Sequence, residues 1–191
     1  MGHITPRIIR EEHAALAAML SSVRPLLADY QRRGKPPDFH VLRAMLFYID
    51  EFPQRLHHPK ESNLLFPKLR QRSDEIRPVL DRLDRDHERG ERQIRELEAT
   101  LLAYEILGEP RRATFEDAMQ RYVEFYLEHM RTEEVEILPL AERVLTEQDW
   151  AELDAEFSQN RDPLTGHPPP TEYGALFSQI VCLVPAPIGL G

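Results

Sequence analysis

The chain has 191 residues, 41% hydrophobic and 30% charged, which suits one domain with a real core and an appended tail. A formal net charge of −9 argues against nucleic acid as the main partner, because phosphate binding needs a cationic surface. No apolar run approaches the roughly 20 residues that span a bilayer, so no membrane segment is expected.

The first predicted element, about 5 to 32, places His13 in a series with Ile9, Leu16, Leu20, Val23 and Leu27. Spacings alternating between three and four residues mark a helix that buries one stripe. The second, about 38 to 71, carries Leu42, Leu46, Ile49, Leu56 and Leu64, with His57 among them. Pro53 and Pro59 each remove a backbone donor there, which predicts a kink near His57. The third starts near Asp74 and reads Ile76, Leu80, Leu83, His87, Ile94, Leu97, Leu101. The fourth, about 111 to 145, reads Phe115, Ala118, Tyr122, Phe125, His129, Glu136, Leu140.

After Leu145 the character changes. A short helix is expected from Thr146 with Trp150, Leu153 and Phe157, followed by a Pro- and Gly-rich tail from Asn160 to Gly191. The tail holds an apolar island from Leu176 to Val184 and is expected to pack on or near the bundle; binding a partner protein is the sharper reading. The division is therefore residues 1–145 as the helical body and 146–191 as a C-terminal extension. No internal repeat beyond the helical period is visible. The lone Cys182, read as buried and inert, excludes an internal disulfide and suits the cytoplasm. The N-terminus shows no charged region followed by an apolar one, so no secretory leader is expected.

Each of the four stripes contains one histidine, and the four are in register. The midpoints of the pairs His13/His57, His57/His87 and His87/His129 are residues 35, 72 and 108. These fall in Gly34-Lys35-Pro36-Pro37, Arg72-Ser73-Asp74 and Gly108-Glu109-Pro110, the three places that read as turns. An all-α, up-down-up-down four-helix bundle would bring all four imidazoles to one height.

Three of these histidines have a glutamate four residues on, at Glu61, Glu91 and Glu133. On a helix that spacing stacks two side chains one turn apart, so the pair can serve one ion or two neighbouring ions. The expected ligands are His13, His57, Glu61, His87, Glu91, His129 and Glu133. Glu134 competes with Glu133 as the last, and one-turn spacing favours Glu133. Imidazole and carboxylate together suit iron, with manganese or zinc as substitutes, rather than calcium or copper. Two ions bridged by carboxylates and an oxo or hydroxo group would use this set and leave a position open.

The bland readings take the remaining residues. His58, about 100° around the helix from His57, reads as a flanking or supporting residue. His3, His40 and His167 lie at segment ends or in the tail. Tyr48, Tyr122, Phe125 and Tyr126 read as core packing, with Tyr122 and Phe125 able to line a small apolar pocket beside the metals.

At these residues the chain resembles the hemerythrin-like, HHE cation-binding family. The matching pieces are Glu12-His13, His57-His58-Pro59-Lys60-Glu61 running into Leu64-Leu65-Phe66-Pro67, Asp86-His87 with Glu91, and His129-Met130-Arg131-Thr132-Glu133-Glu134 running into Leu138-Pro139. The resemblance covers about residues 5 to 145. It implies a four-helix bundle around a non-haem di-iron centre, with His13, His57, His87 and His129 as nitrogen ligands. Glu61 and either Glu133 or Glu134 would bridge the irons.

Two departures separate the chain from the family's oxygen carriers. Where they place a second histidine one turn after the third, this chain has Glu91. Where they end on an aspartate five residues after the last histidine, it offers Glu133 at four or Glu134 at five. An additional anionic ligand stabilises ferric iron and shortens the life of a reversible oxygen adduct. The expected function is therefore sensing, storage or detoxification of oxygen, peroxide or nitric oxide rather than transport. A di-iron enzyme acting on peroxide or a small substrate is the alternative, and a metal-switched interaction module a further one.

Overall fold

The computed structural model describes residues 2–160, 162–168 and 171–183. Helix α1 spans Thr5–Arg32, with Pro6 in its first turn, where a missing N–H leaves no bond unmade. Its inward stripe is Ile9, His13, Leu16, Leu20, Val23 and Leu27, all buried. The chain turns at Gly34, whose φ of +63° favours glycine. Asp38 then caps α2 by accepting from the backbone N–H groups of His40 and Val41.

Helix α2 is one helical run with two wide turns. It is α-helical over Phe39–Ile49, π-helical over Asp50–His57, α over His58–Lys60, π over Glu61–Leu65 and α over Phe66–Arg72. Helix α3, Arg77–Leu107, is α-helical throughout. Helix α4 runs Arg112–Thr132, widens to a π-turn over Glu133–Ile137 and resumes over Leu138–Val144. A capping box between Thr146 and Asp149 starts α5, Glu147–Phe157, and α6 spans Gly174–Leu183.

The wide turns have a cause in the sequence. A proline has no N–H and its ring crowds the carbonyl four residues back, so the preceding turn opens. Pro67 and Pro139 follow the two later π-turns, where Phe66 N–H bonds to the Glu61 carbonyl and Leu138 N–H to the Glu133 carbonyl. Both stretches read His-x-x-x-Glu-x-x-x-(Leu/Ile)-(Phe/Leu)-Pro, at 57–67 and 129–139. This is an internal repeat that the sequence reading did not register.

The opened turns also shift the buried face by one residue. Strict α-periodicity put Leu56 and Leu64 on the α2 stripe, whereas His57, Glu61 and Leu65 are the buried residues and Leu56 is 42% exposed. In α4, Glu136 is exposed and Ile137 takes the inward place. The expected kink near His57 thus takes the form of local widening.

Helices α1 to α4 pack as a ring, with α3 between α2 and α4 and α4 closing on α1, an up-down-up-down four-helix bundle. Among the described residues there is no strand, and no helix is long and apolar enough to cross a membrane. The core is divided along the axis. One apolar cluster holds Leu16 to Leu27 of α1 with Phe52, Ile94, Phe115 and Tyr126; the other holds Ile9, Phe66, Leu83 and Ile137. Between them lies a polar layer containing all four in-register histidines.

The segment after Val144 belongs to both clusters. Trp150, Leu153 and Phe157 of α5 complete the second, and Phe177 and Ile180 of α6 join the first. Those two come from the apolar island; its last residue, Val184, lies outside the described residues. Cys182 is exposed, not buried as expected, because the buried face of α6 is the one carrying Phe177 and Ile180.

Candidate metal centre

Two overlapping groups of buried side chains fill the polar layer. His58, Glu61, His87 and His129 form one, and His13, His57, Glu61 and Glu133 the other. Within each group the possible ligand atoms all lie within 4.8 Å of one another.

Five histidines and two carboxylates therefore face a common space. The carboxylates lie between the groups. Glu61 Oε1 is 3.1 Å from His57 Nε2, while its Oε2 is 3.5 Å from His87 Nε2. Glu133 Oε2 is 3.3 Å from His13 Nε2, and its Oε1 is 3.3 Å from His129 Nε2. Each glutamate thus presents one oxygen to the side of His13 and His57 and the other to the side of His87 and His129.

The outer nitrogens of the rings are held. His57 Nδ1 is 2.6 Å from Glu12 Oε2, and His13 Nδ1 is 3.0 Å from Glu134 Oε1. His58 Nδ1 meets Gln54 Oε1 at 3.2 Å, and the Gln54 amide donates to the Tyr126 hydroxyl. The Ser62 hydroxyl donates to Asp84 at 2.7 Å, so towards His87 Nδ1, 2.9 Å away, it can only accept. Four rings are thereby held with Nδ1 outward and Nε2 inward, the orientation in which a metal-binding histidine offers Nε2 once that atom is deprotonated. His87 and His129 bring their Nε2 atoms within 3.1 Å of each other.

This arrangement fits cations. His57 Nε2 and both oxygens of Glu61 and Glu133 are buried without a hydrogen-bond partner. The short nitrogen–oxygen distances converge on shared space instead of aligning as hydrogen bonds. Buried carboxylates cost several kcal/mol each unless compensated. In the metal-free layer protons compensate them. Burial opposes charge on His87, but Glu133 and Glu61 hold its pKa up at about 9. Glu133 in turn is held down at about 2, where burial and Glu61 are outweighed by His129, His13 and His87. His58 goes the other way: burial and the neighbouring imidazoles push it well below the ordinary value, leaving a neutral ring. A metal ion would replace those protons.

The structure brings together His13, His57, Glu61, His87, His129 and Glu133, and it does not bring Glu91. That side chain is 57% exposed and paired with Arg95 at 2.6 Å. The reason is the unbroken α-helix around it. The buried positions of α3 run 80, 83, 87, 90, 94, so the residue that follows His87 inward is Gly90. Of the two competing glutamates, Glu133 enters the layer and Glu134 orients His13 from outside.

His58 was read from the sequence as a flanking residue, yet it occupies the group of His87 and His129. A 100° offset from His57 is an α-helical figure, and His57 is the last residue of a π-turn. The prolines on either side, Pro53 and Pro59, were the available signal. Gln54, Ser62 and Gly90 were not singled out either, and Glu12 entered only as part of the matching piece Glu12-His13. Glu12, Ser62 and Gly90 act through contacts between helices, which no local pattern encodes, whereas Gln54 meets His58 from one turn back in the same helix.

A cavity of about 10 Å³ lies beside His13, His57 and His58. Its apolar walls are Leu16, Phe52, Leu56 and Met130 rather than the expected Tyr122 and Phe125. Tyr122 is buried in the first core cluster, and Phe125 lies under the guanidinium of Arg89. Glu12, Asn160 and Asp162 complete the lining.

A family model described as the hemerythrin HHE cation-binding domain matches residues 5–141. No curated protein and no solved structure matches the chain.

Proposed function

The chain belongs to the hemerythrin HHE cation-binding family, and on that premise we propose that its bundle binds two iron ions and meets oxygen, peroxide or nitric oxide at one of them. His58, His87 and His129 would hold one ion and His13 and His57 the other. Glu61 and Glu133 would bridge the pair, with an oxo or hydroxo group between the ions. The observation that supports this best is the placement of those two glutamates, each with one unpartnered oxygen towards either histidine group. Manganese or zinc suits the same donors.

When bound, the metal pair supplies redox chemistry and an open coordination position. The protein's part is orientation and exclusion. Glu12, Glu134, Gln54 and Ser62 fix the rings, and the two apolar clusters keep bulk water from the layer. With two imidazoles against three, an ion at His13 and His57 would have fewer protein ligands, and the small cavity lies beside those two rings. Its size is that of about one water-sized molecule, which restricts the site to the smallest ligands and fits sensing, storage or detoxification of such ligands in the cytoplasm. In this reading residues 1–145 bear the metals, and the described part of 146–191 covers the bundle through Trp150, Leu153, Phe157, Phe177 and Ile180.

The test is metal analysis with visible absorption after iron supplementation. Two irons per chain and ligand-to-metal absorption bands are expected; fewer than one metal per chain would overturn the reading.

A further inference from the structure

The cavity beside His13 and His57 is not closed by the bundle alone. Two residues of the segment after α5 complete it, and both are tied to the polar layer. Asn160 donates its amide N–H to Glu12 Oε2 at 3.1 Å, the same oxygen that holds His57 Nδ1. Asp162 Oδ2 accepts from the Tyr48 hydroxyl at 2.7 Å, and its Oδ1 accepts from Leu164 N–H at 2.8 Å. Asp162 is 4% exposed, so its carboxyl group faces the cavity and the protein, not solvent.

We propose that Asp162 sets the ligand selectivity of this pocket, disfavouring small anions and favouring small neutral molecules that can donate a hydrogen bond, hydrogen peroxide foremost. The inference rests on the metal reading above and assigns a specificity to its open side. A carboxylate with two donors already in place still has acceptor capacity, since each oxygen carries two lone pairs. Beside the apolar walls of Leu16, Phe52, Leu56 and Met130, it offers an acceptor to an O–H group at the outer end of a bound ligand. Glu12, the other acid in the lining, has its Oε2 committed to His57 and Asn160. Dioxygen and nitric oxide have no proton to offer and gain nothing from Asp162. Azide and similar anions meet a second negative charge in a site of low polarity, a repulsive element that selects by exclusion. Burial, the first cause, lifts the Asp162 pKa to about 6, which leaves the group ionised at neutral pH.

The test compares iron-loaded wild type with Asp162→Asn, a neutral isostere that keeps an acceptor for Leu164 N–H. Azide affinity is measured by spectroscopic titration of the ferric protein, nitric oxide affinity on the ferrous protein, and iron content on both. At neutral pH, Asp162→Asn should bind azide at least about ten-fold more tightly, the order expected from removing one neighbouring charge. Nitric oxide affinity should stay within about two-fold, and iron content should not change. Unchanged azide affinity with full iron content would overturn the proposal. If Asp162→Asn loses iron, Asp162→Ser repeats the comparison, and loss of iron from both would equally overturn it by making Asp162 a support of the centre. A wild type that binds no iron would fail the metal reading itself, a separate result.

Discussion

Gly90 offers a test in which the sign of the effect decides. In an exposed helix interior, Gly→Ala stabilises by about 0.5–1 kcal/mol through backbone entropy. At position 90 a Cβ would collide with the Tyr126 hydroxyl oxygen and stand 2.7 Å from that ring's Cζ and 2.8 Å from Gln54 Nε2. Tyr126 is 1% exposed and stacks on His58, so its ring has no free space to enter. Overpacking of this kind costs about 1–3 kcal/mol, which offsets the helical gain and leaves a net loss of up to about 2.5 kcal/mol. Urea unfolding of the metal-free Gly90→Ala protein measures it without interference from metal binding. A second consequence follows through Gln54, which links Tyr126 to His58. Displacing Gln54 should loosen His58 and lower metal affinity about ten-fold or more. A Gly90→Ala protein that proved more stable than wild type would refute the packing argument, and with it the account of why Gly90 and not Glu91 faces inward.

Other outcomes follow from the same geometry. His58→Ala should reduce metal content measurably while Glu91→Ala leaves it unchanged, by elemental analysis; the reverse pattern would restore the sequence-based ligand set. Glu134→Ala should weaken metal binding about 10- to 100-fold by freeing His13 to rotate, without the full loss expected for Glu133→Ala, as metal titration would show. Thr146→Ala removes the cap of α5 and should cost about 1 kcal/mol in denaturant unfolding. Asp149 resists the effect of burial because Thr146 and Arg72 hold its pKa at about 2 against an ordinary 3.8. Its stabilisation is therefore complete above pH 3.8 and lost as pH falls towards 2, so Asp149→Asn should show a flatter acid limb in that window.

The bundle was legible because helix length, turn chemistry and the three-and-four spacing all point to one arrangement. His13, His57, His87 and His129 could be placed at one level from counting alone, since the rise per residue is fixed in any helix. The ligand list was less legible. Extending His87 to Glu91 assumed that what holds for Glu61 and Glu133 holds in every helix, but α3 lacks the widened turn and its seam passes through Gly90. Leu56 and Leu64 were misplaced for the converse reason, an α-period applied across π-turns. Glu12 and Glu134, which orient His57 and His13, act between helices and leave no trace in a one-helix pattern.

The paired wide turns at Glu61 and Glu133 behave as single-residue insertions that the chain has kept twice. Excising one residue from either would heal the local ladder of hydrogen bonds, and an isolated peptide would gain helicity from it. In the intact protein the same deletion would rotate everything downstream by about 100°, carrying Phe66 or Leu138 out of the second apolar cluster. The local optimum and the assembled optimum are therefore opposed at just these two places. The repeated proline is what keeps the chain on the side of assembly.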